Sequence, residues 1–297
     1  MPHAVLVLVF CLLPLLAQGE DATPHKVESN GHILTVWEKS PAKPRAQILL
    51  LHGRTWSSIP DFDLQVEGED LSFMDGLVAL GYRVYALDGR GYGATPRDPS
   101  GWLTPTKAAK DALAVMSWIL SRDPLPLHLY GWSYGSMVGQ LALQHQPTAA
   151  ASLILFGYPW HPGAYSAPDH YPDKPPMKTN TAEAAASDFI TPGSISAAAI
   201  DTYVTASLKA DPIRVDFRDL HEWQELDASK VLTPTLLIKG QFDPLAPMNQ
   251  QAEFFANLGT ADKWFVELSG GDHAALLETP RNRMLLTMDS FIRYLDE

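Results

Sequence analysis

Hydrophobic positions along the chain fall into short apolar runs separated by helical spacings. Ala46 to Leu51 is one continuous apolar run, the pattern of a strand buried on both faces. Arg83–Leu87, Leu127–Tyr130, Ser152–Phe156, Thr235–Lys239 and Trp264–Leu268 read as further strands, and Ile33–Trp37 as an early one. Between them, Leu71 to Leu80 has helical spacing and is followed by Gly81, a C-cap signal. Pro105 to Leu120 predicts a helix with proline near its start, and Leu276 to Leu295 is mostly a terminal helix. Strands that alternate with helices predict an α/β fold: a mostly parallel central sheet flanked by helices.

The rhythm breaks at Tyr158. From there to Pro176 the chain carries six prolines and the aromatics Tyr158, Trp160, Tyr165 and Tyr171. Alanine-rich helical patterns follow near Thr181–Phe189 and Ile195–Lys209, and sheet rhythm resumes at Thr235. This is too long for an ordinary loop and predicts a helical insertion between two sheet strands. The expected division is a signal peptide over 1–19, a core over 20–157, a cap or lid insertion over 158–230 and the rest of the core over 231–297.

Composition adds two constraints. Residues 1–19 carry no charged side chain, Val5 to Leu16 is almost wholly apolar, and Ala17-Gln18-Gly19 resembles a small-x-small cleavage site. That is the pattern of a secretory signal peptide, so a secreted or periplasmic protein is expected, with no membrane span after cleavage near Gly19. The single cysteine, Cys11, lies inside this segment. The mature chain would then hold no disulfide, thiol nucleophile or thiolate metal site. The net charge of −12 speaks against nucleic acid as a partner.

The candidate chemistry sits at strand ends. Gly131-Trp132-Ser133-Tyr134-Gly135 follows the Leu127–Tyr130 strand and precedes the helical run Met137–Gln144. Strand, sharp turn and helix make G-x-S-x-G a nucleophile elbow, with the serine at a helix N-terminus. A serine hydroxyl needs a base, and that base is usually a histidine held by a carboxylate. Asp243 follows the strand Thr235–Lys239, and His273 follows the strand Trp264–Leu268 after Gly270-Gly271. All three groups leave C-terminal strand ends, where parallel α/β sheets bind ligands.

With these residues the chain resembles the α/β-hydrolase fold serine hydrolases with a cap, among them esterases, lactonases and iminopeptidase-like enzymes. The resemblance runs from about Ile33 to Leu295. It rests on His52-Gly53, Asp88-x-Arg90-Gly91-Tyr92-Gly93, the elbow, Gly-x-x-Asp243-Pro244 and Gly-x-Asp-His273. It implies Ser133 as nucleophile, His273 as general base and acid, and Asp243 as the orienting acid. It also implies an oxyanion hole from the backbone N–H of Tyr134 and of Arg54, and a structural role for His52. Asp88 and Arg90 are read as holders of their turn, and Asp272 as a neighbour of the base rather than the triad acid.

Dehalogenases and epoxide hydrolases of this fold carry aspartate at the elbow, so Ser133 points instead to acyl transfer. The expected reaction is hydrolysis of a small carboxylic ester or lactone through an acyl-enzyme, with no cofactor and no metal. Trp132, Trp160 and Tyr158 are the expected substrate contacts. The cap histidines and Asp61-Phe62-Asp63 are read as solvated, the alternative for the latter being carboxylates that recognise an amine. An amidase or aminopeptidase of the same fold and a slow-turnover ligand-binding homologue remain the other readings. Oligomeric state is not legible.

Overall fold

The computed structural model describes residues 21–159, 161 and 172–296. The expected signal peptide, Trp160, Tyr165 and Tyr171 lie outside the described residues. Eight strands form one sheet: β1 (Thr23–Ser29), β2 (His32–Lys39), β3 (Ala46–Leu51), β4 (Tyr82–Asp88), β5 (Leu127–Trp132), β6 (Ser152–Phe156), β7 (Thr235–Gly240) and β8 (Lys263–Leu268). Their spatial order is β1-β2-β4-β3-β5-β6-β7-β8. β2 is antiparallel to both β1 and β4, and every pairing from β4 to β8 is parallel. The mostly parallel α/β sheet expected from the sequence is therefore present, with an antiparallel hairpin at one edge.

Period-two alternation divides each buried strand between two cores. In β3, Leu49 and Leu51 join one cluster while Ile48 and Leu50 join the other. β6 repeats this, with Leu153 and Leu155 on one side and Ile154 and Phe156 on the other. The first face is covered by α3 (Pro105–Arg122) and α4 (Tyr134–His145), the second by α2 (Phe73–Ala79) and α8 (Arg281–Leu295). Helices on both faces explain why β3, β5, β6 and β7 are buried along their whole length and read as mostly apolar runs. α3 starts where Thr104 Oγ1 accepts the Lys107 N–H at 3.3 Å with Pro105 in the first turn.

Four more elements shape the site. α1 (Ser58–Phe62) is a single turn after β3. Between β6 and β7 lie α5 (Ala182–Ala186) and α6 (Ala197–Ala210), near the helical patterns read from the sequence. α7 (Met248–Asn257) follows β7. No helix among the described residues is long and apolar enough to cross a membrane.

Candidate active site

β5 delivers Ser133 into a backbone conformation that L-residues rarely adopt, φ 55° and ψ −116°. Such geometry costs on the order of 1–3 kcal/mol and persists only when its surroundings over-determine it. Here Ser133 N–H donates to Phe156 O at 2.9 Å, and the Ser133 carbonyl accepts the Ser136 N–H at 3.0 Å and the Ser136 hydroxyl. The flanking glycines are required by space. A Cβ on Gly131 would stand 2.4 Å from Gly135 O, and one on Gly135 would stand 2.2 Å from Leu51 O. The elbow is thus packed tightly onto the end of β3.

The loops after β7 and β8 bring Asp243 and His273 together. His273 Nδ1 lies 2.9 Å from Asp243 Oδ2, and Asp243 Oδ1 accepts the Leu245 N–H at 2.9 Å. The Phe242 N–H donates to Gly271 O at 2.8 Å, tying the two loops. From the elbow, Trp132 Nε1–H donates to His273 O at 2.7 Å. Gly157, at φ 59°, lies behind the pair: a Cβ there would stand 2.9 Å from the His273 ring and 3.1 Å from Asp243 Oδ2. No motif in the sequence signals that role for Gly157. Ser133 and His273 line the same cavity without a hydrogen bond between them. Hydrogen bonds of this kind are often long before a substrate is bound.

Opposite the elbow, the Gly53 and Arg54 carbonyls of the loop after β3 are held by side chains. His52 Nδ1–H donates to Gly53 O at 2.8 Å, and His52 Nε2 accepts the Gly89 N–H at 3.1 Å. Burial pushes the imidazole pKa down, which fits a neutral ring with one donor and one acceptor. The Tyr92 hydroxyl donates to Arg54 O. The Tyr134 N–H, the first amide of α4, lies at the positive end of that helix. Asp88 accepts N–H groups from Ser58 and Ala94 and from the Trp37 indole, while Arg90 clasps Asp111 through two bonds of 2.7 Å. These contacts tie turns and helices together and do not reach the cavity.

The cavity measures about 510 Å³. Trp132, Tyr134, Met137, Leu220 and Trp223 give it apolar walls, and His161 and Gln250 also line it. Tyr158 corrects an expectation. It is fully buried, its hydroxyl donates to Gln140 Oε1 and its ring packs on Phe254 at 4.3 Å, so it is not part of the cavity wall. Trp160, the other expected contact from this stretch, lies outside the described residues.

Asp61 and Asp63 are not solvated. Asp63 is buried against Lys39 at 2.7 Å, and Asp61 is buried at the cavity wall. Tyr203 of α6 donates its hydroxyl to Asp61 Oδ1 at 2.9 Å and stands 3.3 Å from Asp188 Oδ2. Asp188, from the turn after α5, also lines the cavity and accepts the Trp56 indole N–H at 3.0 Å. Burial pushes Asp188 up to about 6, offset in part by His273. Asp272 does not pair with His273 beside it and accepts the N–H groups of Ile190 and Thr191, at 3.1 and 2.6 Å. Asp188 and Trp56 carry no motif, because their roles arise from packing of distant segments. Among the described residues no cluster of ligating side chains could hold a metal ion.

The family described as serine aminopeptidase, S33 (Hydrolase_4) matches residues 42–280. Among curated proteins no significant match is found. A thermophilic esterase from Thermogutta terrifontis is similar in structure, with a TM-score of 0.66 at 19% identity, covering 92% of this chain and 99% of that one. A serine hydrolase involved in carbazole degradation, the CarC enzyme, gives 0.66 at 17% identity over 92% and 99% of the two chains. Epoxide hydrolase A from Mycobacterium thermoresistibile gives 0.66 at 17% identity over 92% and 98%. At such identities the likeness is one of fold, the α/β-hydrolase fold, and it spans different chemistries.

Proposed function

The chain belongs to the serine aminopeptidase S33 family of α/β-hydrolases, and from that premise we propose that it hydrolyses a small carboxylic ester or lactone through an acyl-enzyme on Ser133. The observation that carries this reading is the convergence of three loops on one cavity. A strained serine opens onto it from β5, and beside that serine stands a histidine whose Nδ1 is held 2.9 Å from Asp243. In this mechanism His273 Nε2 takes the Ser133 proton as Oγ attacks the carbonyl carbon. Asp243 fixes the tautomer that leaves Nε2 free to accept, and it stabilises the imidazolium. The backbone N–H groups of Tyr134 and Arg54 receive the oxyanion, and donors so placed contribute on the order of 3–4 kcal/mol each. His273 returns the proton to the leaving alcohol, and the same base then activates water to release the acid.

The apolar cavity walls favour a substrate that is apolar in part. The elements within 158–230 supply Asp188, Leu220 and Trp223 to those walls, and we assign the segment the role of a cap. Amide cleavage is the second reading, because the wall also carries Asp61 and Asp188, which could face a substrate amine. Export with removal of 1–19 belongs to the same proposal.

The test is labelling with a fluorophosphonate, followed by a panel of p-nitrophenyl esters, lactones and aminoacyl amides. The native chain is expected to label at Ser133, and Ser133→Ala to lose both the label and esterase turnover. A native chain that does not label would sink the acyl-enzyme reading. Turnover confined to the amides would replace ester by amide specificity.

A further inference from the structure

Asp61 lies in the single turn α1, directly after the loop that carries Arg54. Its carboxyl group is fully buried, and among the described residues no lysine or arginine bonds to it. The titratable groups facing it are Tyr203 from α6, Asp188 from the turn after α5, Asp211 from the end of α6 and Tyr130 from β5. The other two carboxylates have donors of their own. Asp211 accepts the Ser57 and Gly93 N–H groups, each at 2.8 Å, and Asp188 accepts the Trp56 indole at 3.0 Å. Asp61 has only the Tyr203 hydroxyl at 2.9 Å and a long contact from the Gly53 N–H at 3.4 Å.

The Tyr203 hydroxyl has one proton, yet it stands between Asp61 Oδ1 and Asp188 Oδ2. Asp188 Oδ2 also accepts the Trp56 indole, but with the one Tyr203 proton on the Asp61 side two electron-rich oxygens stand 3.3 Å apart with no proton between them, which is costly in a low-dielectric site. A second proton on Asp61 Oδ1 closes that gap. Asp61 O–H then donates to the Tyr203 oxygen, Tyr203 O–H donates to Asp188, and Asp61 Oδ2 is left to accept the Gly53 N–H.

We propose that Asp61 is a protonated positioning residue, which holds the loop carrying the Arg54 amide as a neutral acid and is not a binding site for a substrate cation. Burial and the nearby charges of Asp188 and Asp211 push its ionisation in the same direction, well above the usual carboxylate range. Neutrality has a purpose here. A carboxylate beside the Gly53 amide would oppose the negative charge that develops on the substrate oxygen, whereas a carboxylic acid orders the same peptide without that repulsion. This inference rests on the assignment of the Ser133 site as a hydrolase.

The test compares the native chain with Asp61→Leu and Asp61→Asn. Asparagine presents an N–H to Tyr203 and a carbonyl to Gly53, as the protonated acid does. Asp61→Leu is expected to lower kcat about 100-fold, the scale of a misplaced catalytic group, and Asp61→Asn to restore most of it. Denaturant unfolding supplies a measurement that needs no activity. A proton held by folded Asp61 and released on unfolding makes the native unfolding constant rise about tenfold per pH unit above the ordinary carboxylate range. Asp61→Asn should lack that component.

Equal pH dependence in the native chain and Asp61→Asn overturns the protonation, even if Asp61→Leu fails to fold. A folded Asp61→Asn as inactive as Asp61→Leu overturns the positioning role. A raised KM only for amine-bearing substrates overturns it in favour of a cation site. Absence of fluorophosphonate labelling in the native chain would overturn the hydrolase assignment, and with it the role of Asp61 in catalysis, while the unfolding data still decide its protonation.

Discussion

At the level of single residues, the site is fixed by groups that leave no room as much as by groups that react. Gly157 shows this most directly, since its missing side chain is the space occupied by the His273 ring and Asp243 Oδ2. Gly157→Ala is expected to push the pair off its 2.9 Å contact and to strain a backbone at φ 59°. Displacement of a catalytic group by about 1 Å can cost 100-fold, so steady-state turnover should fall by about that factor while the protein remains folded. An alanine variant with native kcat would show that the pair tolerates displacement. Legibility in the sequence follows the same division. The elbow, Asp243 and His273 announce themselves through short glycine-bearing loops at strand ends. Asp61 does not, because Asp-Phe-Asp looks hydrophilic and nothing local says that Tyr203, some 140 positions away, will cover it. Tyr158 was legible as an aromatic near the site, but not as one turned away toward Gln140.

Among the elements, the connection between α5 and α6 is tied to the loop that carries His273. Asp272 holds the amides of Ile190 and Thr191, while Glu278 Oε1 accepts the Ser194 hydroxyl at 2.6 Å and Ser194 O accepts from Thr279 N–H. Burial, with the Asp272 charge adding to it, pushes Glu278 up to about 7. A carboxyl raised in the folded state contributes its full stability below its ordinary value near 4.5 and loses that contribution as pH rises through about 7. The native midpoint of thermal unfolding should therefore fall from pH 5 to 8 by more than that of Glu278→Gln. Protection of the Ile190 and Thr191 amides, measured against the intrinsic rise of exchange with pH, should fall over the same range in the native chain alone, and equal slopes in the two proteins would refute the link. Elements buried on both faces were easy to read, as β3 and β6 show. β1 was missed because its outward positions are polar (its burial alternates only near the end), and α7 because glutamines and asparagines dilute its apolar face.

Over the whole molecule, two apolar cores press on one sheet, and Ser133, Asp243 and His273 leave the same end of it. That arrangement sets the price of holding Ser133 at φ 55°, a conformation that glycine adopts without penalty. The sum of contacts across both cores sustains one unfavourable residue at the tip of β5. Ser133→Gly should accordingly unfold at higher denaturant than Ser133→Ala, by roughly 1 kcal/mol, although both lack the Ser133 hydroxyl. If alanine proved the more stable of the two, the elbow would carry no strain. The consequence reaches past chemistry to inheritance: a lineage kept only for its durability would be expected to trade this serine for glycine, so the turnover proposed for Ser133 would have to be selected against a standing pull toward a sturdier, silent protein.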